Sequence, residues 1–153
     1  MRSNAESGFT LVEVLVVLAI IGVMAGIAVV GLGSADRSAT AEAEARRLAA
    51  SIQLAADEAL IADRPAALSW DGDGYAFLVW DPAAAQWRGH EGVDLAARHE
   101  LAGDIVLASD NGNGPVALGD QAMPVRFTVT AGGESWRVEY EGLTAAAAPA
   151  ING

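Results

Sequence analysis

The sequence predicts an α+β chain in which a long N-terminal helix, apolar through its first half, is followed by an antiparallel β-rich head. Three observations carry that expectation. Val14 to Leu32 is an uncharged apolar run. Apolar positions then recur at helical spacing as far as Asp63, with no proline before Pro65. Beyond Pro65 the period of the pattern falls from about 3.6 to 2, the spacing of a half-buried strand.

The apolar run is long enough for a membrane, since a hydrocarbon core of about 30 Å needs about 20 helical residues. One carboxylate, Glu13, lies at its start. Holding a charge in lipid costs at least about 2.5 kcal/mol, and no Lys, Arg or His occurs between Gly8 and Asp36. The sequence therefore assigns the compensating charge to another chain end. Gly22, Gly26, Gly31 and Gly33 weaken the helix locally and suit close helix–helix packing in lipid, with local melting on assembly as the alternative.

From Ser34 to Asp63 the chain is rich in Ala, Glu, Arg and Leu, which favour helix. Ala41, Ala45, Leu48, Ile52, Ala55, Ala56 and Ala59 form one apolar stripe. Glu42, Glu44, Arg46, Arg47, Gln53 and Asp57 form the opposite, solvated face, and the Asp57-Glu58 pair is read as part of it.

Two hairpins follow. Asp71-Gly72-Asp73-Gly74 separates Ala67–Trp70 from Tyr75–Trp80, and a two-residue loop at Gly72-Asp73 sets Trp70 opposite Tyr75 and Leu68 opposite Phe77. Val125–Thr130 and Ser135–Tyr140 flank Gly132-Gly133. That loop pairs Val129 with Trp136, Phe127 with Val138 and Val125 with Tyr140 on the core side, and Arg126 with Glu139 outside. Gln86-Trp87-Arg88 and Asp104–Leu107 read as short strands, Ser109–Pro115 as a loop, and Thr144–Gly153 as an uncharged tail with little order.

Composition narrows the function. The 153-residue chain has nine basic residues, all arginine, against twenty Asp and Glu, for a net charge of −11. Such a surface repels phosphate backbones and anionic headgroups, so nucleic acid is not an expected partner. There is no cysteine, and compartment cannot be read from redox usage. Asp71-x-Asp73-Gly74 lacks the later oxygen ligands of a calcium loop, with Tyr75 and Pro82 at the positions that would supply them. Asp110, Asn111 and Asn113 offer oxygens, which leaves calcium at residues 109–115 an open question. His90 and His99 have no ligand-spaced partner and read as two unrelated surface or rim histidines. No nucleophile elbow or phosphate loop is present. The expectation is therefore no enzyme activity, no metal, no cofactor and no small-molecule ligand.

Gly8-Phe9-Thr10-Leu11-Val12-Glu13 after a short polar leader resembles the class III signal of type IV pilins and type II secretion pseudopilins. The resemblance implies cleavage by a prepilin peptidase after Gly8, methylation of Phe9, and a role for Glu13 in neutralising the amine of a neighbouring subunit's Phe9 during assembly. Two other readings are an ordinary secretory signal cut after Gly26-Ile27-Ala28 and a plain uncleaved anchor. The first leaves Glu13 idle in a leader whose Arg2 is offset by Glu6. Arg2 and Arg37 give little positive-inside contrast, so orientation follows from the resemblance.

In the head, Arg47-Leu48, Asp57 to Leu60, Arg64-Pro65-Ala66, Asp73 to Phe77, Trp87, and Phe127 leading to Gly132-Gly133-Glu134 resemble the GspH/FimT group of minor pseudopilins. Residues 94–123 match nothing in that pattern. The resemblance implies an antiparallel two-sheet head and the divisions 1–8 leader, 9–33 transmembrane helix half, 34–63 periplasmic helix half, 64–143 head and 144–153 flexible tail. It also implies an inner-membrane subunit with a periplasmic head in a secretion pseudopilus, whose partners are other minor and major pseudopilins. The alternative is a FimT-type minor pilin serving pilus assembly or DNA uptake. The uncharged segment after Arg137 lacks the basic character that DNA uptake needs.

Overall fold

The computed structural model describes residues 11–112, 114–119 and 122–151, with side chains for all of these except 22–39. The chain divides into two units between Asp36 and Arg37. Among the described residues one helix, α1 (Leu11–Ala62), is followed by nine strands: β1 (Ala66–Trp70), β2 (Gly74–Asp81), β3 (Gln86–Gly89), β4 (His99–Glu100), β5 (Ile105–Ser109), β6 (Val116–Leu118), β7 (Val125–Ala131), β8 (Glu134–Tyr140) and β9 (Ala145–Pro149).

In the N-terminal unit, Leu11 to Ile21 are exposed around the whole helix, as expected of a segment with apolar side chains on every face. Among the described residues no helix is long and apolar enough to cross a membrane. Side chains of the apolar run are described only as far as Ile21, about half of what a span needs.

The second unit holds the rest of α1 and both sheets. Ala41, Ala45, Leu48, Ile52, Ala55 and Ala56 are fully buried, so the stripe lies where its spacing places it. Its many alanines let the sheets approach the helix backbone closely. The helix stops at Asp63, which takes φ 50°, while the Arg64 N–H turns back to the Ala59 carbonyl at 3.1 Å and Pro65 prevents continuation.

One antiparallel sheet runs β3-β2-β1-β6, with β4 also paired to β2, and the other runs β5-β7-β8-β9. Both hairpin registers match the sequence reading: Trp70 faces Tyr75 and Leu68 faces Phe77. Likewise Val129 faces Trp136, Phe127 faces Val138, Val125 faces Tyr140 and Arg126 faces Glu139. Gly132 and Gly133 have φ of 55° and 89°, the pair of positive angles that a tight hairpin turn requires. One core joins Leu48 and Ile52 of α1 to Leu68, Trp70 and Phe77 of the first sheet and Phe127, Val129, Val138 and Tyr140 of the second. Trp70 and Phe127 meet edge to face across the sheets, with ring centroids 5.1 Å apart.

The expected disordered tail is corrected. Ala145–Pro149 is β9, paired in register with Tyr140–Trp136 of β8. Alanine and proline carry almost no strand signal, but the backbone can pair with the open side of β8, and the Gln53 side chain accepts the Ala145 N–H at 3.0 Å. Pro149 has no N–H to offer, which blunts this outer edge against further pairing.

Candidate assembly surfaces

Gly8 and Phe9 lie outside the described residues. Glu13 falls in the first turn of α1, with its side chain exposed.

In the second unit, three polar side chains assigned to the solvated face of α1 are docked instead. Glu44 Oε1 lies 3.0 Å from His99 Nε2 and accepts the Tyr75 hydroxyl at 3.2 Å. The Tyr75 and His99 rings stack at 4.8 Å. Burial, and then the Glu44 charge, push the Tyr75 phenol well above its ordinary range. Gln53 donates to the Leu143 carbonyl at 2.8 Å. Glu58 Oε2 lies 3.3 Å from His90 Nε2, and the His90 side chain is only 8 % exposed. The two histidines are therefore not unrelated surface groups: each ties the first sheet to a glutamate on the flank of the helix stripe.

The backbone fixes the form of His90. Gly92 N–H donates to His90 Nδ1 at 3.0 Å, so Nδ1 is the acceptor and Nε2 carries the hydrogen directed at Glu58. A Cβ on Gly92 would lie 2.9 Å from His90 Cε1 and 3.0 Å from Glu58 Oε2. Glycine is needed here for space.

Beside this clasp lies a cavity of about 310 Å³, lined by Glu58, Ala59, Ile61, Ala62, Arg64, Ala66, Val79, Arg88, Gly89, His90, Glu91 and Gly92. It opens where α1 ends. Its floor is aliphatic, and Ile61 stands 86 % exposed beside it.

Two of the carboxylates weighed as calcium ligands, Asp71 and Asp110, are engaged elsewhere. Asp71 Oδ1 accepts the Asp73 and Gly74 N–H groups at 2.9 and 3.1 Å and meets the Arg98 guanidinium. The Asp73 N–H, followed by Arg98, holds this carboxyl below its ordinary range. Asp110 Oδ2 pairs with Arg126 at 3.2 Å. Among the described residues no group of three or more His, Asp or Glu is placed to hold a metal.

Residues 3–29 match the prokaryotic N-terminal methylation motif, and residues 44–148 match the family described as type II transport protein GspH. The chain belongs to the GspH family. It is 42 % identical over 84 residues to a type II secretion system protein H of Pseudomonas aeruginosa, covering 55 % of this chain and 49 % of that protein. Identity to the Aeromonas hydrophila protein of the same name is 28 % over 108 residues, covering 71 % and 59 %. The chain thus spans about half the length of the curated relatives it matches. Its fold is that of the minor pseudopilin EpsH from the type 2 secretion system of Vibrio cholerae, with a TM-score of 0.62 at 15 % identity over 71 % of this chain and 96 % of EpsH.

The GspH match covers both hairpins, all but the last residue of β9, and both His–Glu clasps. Sequence reasoning placed the hairpins but missed the clasps and the cavity. Glu44 and Glu58 each adjoin a stripe position, Ala45 buried and Ala59 half-buried, and that was the available signal. The cavity draws on three separated segments, and no local pattern announces it.

Proposed function

We propose that this chain is a minor pseudopilin of a type II secretion system, a structural subunit that enters the inner membrane through its N-terminal helix and joins a short periplasmic fibre at or near its tip. The observation that carries this reading is the order of the two matches in one chain, a methylation motif over residues 3–29 followed by a GspH head over residues 44–148. An apolar helix with a carboxylate in its first turn suits lateral packing among subunits in lipid. A two-sheet head without a catalytic constellation among the described residues suits protein contact rather than turnover.

In this reading a prepilin peptidase cuts after Gly8, Phe9 becomes the methylated N-terminus, and Glu13 sets register against the Phe9 amine of a neighbouring subunit. Other minor and major pseudopilins are the partners. Intact-mass and N-terminal analysis of the membrane-fraction protein tests processing, with a start at Phe9 expected. A mature start after Ala28 overturns the reading. Glu13→Gln should be inserted and cleaved normally yet fail to enter fibres, and normal incorporation would make this carboxylate incidental.

A further inference from the structure

Five of the arginines with described side chains, Arg46, Arg88, Arg98, Arg126 and Arg137, each lie against a carboxylate. Arg47 stands against the Tyr75 hydroxyl instead. Arg64 has no such partner among the described residues, in a chain with more than two carboxylates for every arginine. It lines the cavity at the end of α1. Of the other charges on that wall, Glu58 is held by His90 and Arg88 by Asp81. Glu91 joins Arg64 in having no ion pair among the described residues, and the two form none with each other although both line the same space.

The remaining wall is aliphatic: Ala59, Ile61, Ala62, Ala66 and Val79. Ile61 and Val93, the residue after Gly92, are 86 % and 98 % exposed. Large aliphatic side chains grouped around a concavity mark a contact surface. At about 310 Å³ the cavity is at the lower end of the range for ligand sites, suited to one or two side chains and too small for a packed helix. The His90–Glu58–Gly92 clasp gives it a wall formed before any ligand arrives.

From these features we infer that the cavity receives a peptide segment of a neighbouring fibre subunit, an aliphatic side chain with an adjacent carboxylate. The aliphatic group fills the floor and the carboxylate reaches Arg64. Backbone N–H groups of the same segment give Glu91 its donors. A fatty acid would satisfy Arg64 but offer no donor to Glu91, which is exposed beside it, so a peptide is the better complement. This inference rests on the pseudopilin reading and names a docking site for it.

The test is a photoreactive benzoylphenylalanine at Ile61 of the full chain, expressed in cells that carry the rest of the secretion system, with adducts identified by mass spectrometry. The expected adduct is one discrete segment of another fibre subunit, with an aliphatic residue beside Asp or Glu. Its yield should fall about tenfold with Arg64→Glu, the loss expected for one charge-assisted hydrogen bond, and similarly with Ala62→Phe, which fills the cavity from an exposed position. Arg64→Lys should largely retain it. Adducts to lipid alone, yields indifferent to both variants, or the same adduct from a probe at Val106 on the other sheet would overturn the inference. Processing at Phe9 and cofractionation with other pseudopilins are scored in the same cells. If both hold while the adduct is absent, only the docking site is wrong. If both fail, the pseudopilin reading fails and takes the docking site with it.

Discussion

Phe127→Ala tests the central packing claim. Phe127 is fully buried, pairs with Val138 across the β7–β8 hairpin and meets the edge of Trp70 from the other sheet. Truncating a buried phenylalanine costs about 3–5 kcal/mol through lost transfer energy and the cavity left behind, and an edge-to-face aromatic contact contributes about 0.5–1.5 kcal/mol of interaction. A total near 4 kcal/mol is a large part of the 5–15 kcal/mol that holds a typical domain together. In urea unfolding followed by tryptophan fluorescence, with a slope of about 1–3 kcal/mol per molar, the midpoint should fall by about 2 M. The neighbouring Arg126→Ala is the control. Its side chain is half exposed and pairs with Glu139 at 2.9 Å, an interaction worth about 1 kcal/mol or less. If Phe127→Ala left the midpoint unchanged while Arg126→Ala unfolded the head, the faces of the hairpin would be inverted and the register argument wrong.

Gly92→Ala should displace the His90 ring or Glu58 and lower stability by about 1–3 kcal/mol as the hydrogen bonds of the clasp are lost; an unchanged urea midpoint would show that the clasp contributes nothing. Tyr140→Phe should cost a similar amount, because the Tyr140 hydroxyl accepts the Gly119 N–H at 2.7 Å and bonds the Gly142 carbonyl inside the core, leaving those groups unsatisfied. Tyr75 carries a pH prediction: its folded phenol titrates above the unfolded value near 10, so the stability it contributes is complete below about pH 10 and is lost as pH rises above that value. Wild type should therefore lose more of its urea midpoint between about pH 9 and pH 11 than Tyr75→Phe does, and parallel losses would remove the Glu44–Tyr75 contact from the account.

What the sequence made legible was whatever depended on one segment and its neighbours. The Asp71–Gly74 and Gly132-Gly133 turns announce themselves, and once the loop length is set each cross-strand pair follows from the period of two. The alanine stripe from Ala41 to Ala56 is a periodic signal of the same local kind. β9 was illegible because Ala145 to Ala148 have weak strand preference and are ordered by the edge of β8, which lies elsewhere in the chain. β4 and β6 are two and three residues long, too short for any pattern to repeat. The clasps failed for another reason. A glutamate beside a buried alanine reads as solvated unless the histidine across from it is known, and Glu44 and His99 are 55 residues apart.

The pattern of misses bears on function. Both clasps, and the Gln53 contacts to Leu143 and Ala145, lie where α1 meets the head, so the helix is held by an alanine-lined apolar stripe together with directional polar bonds along its flanks. An alanine stripe alone resists sliding poorly, since small side chains offer shallow interlocking. Hydrogen bonds at Glu44 and Gln53, with the Glu58–His90 contact, fix rotation and translation because each is satisfied in one register only. Leu11 to Ile21 show the opposite design, with aliphatic groups on every side and Glu13 as their one carboxylate. Such a surface favours no one face for packing. The helix thus changes character along its length: its second half is fixed to the head by several polar bonds, whereas Leu11 to Ile21 carry a single charge among aliphatic side chains.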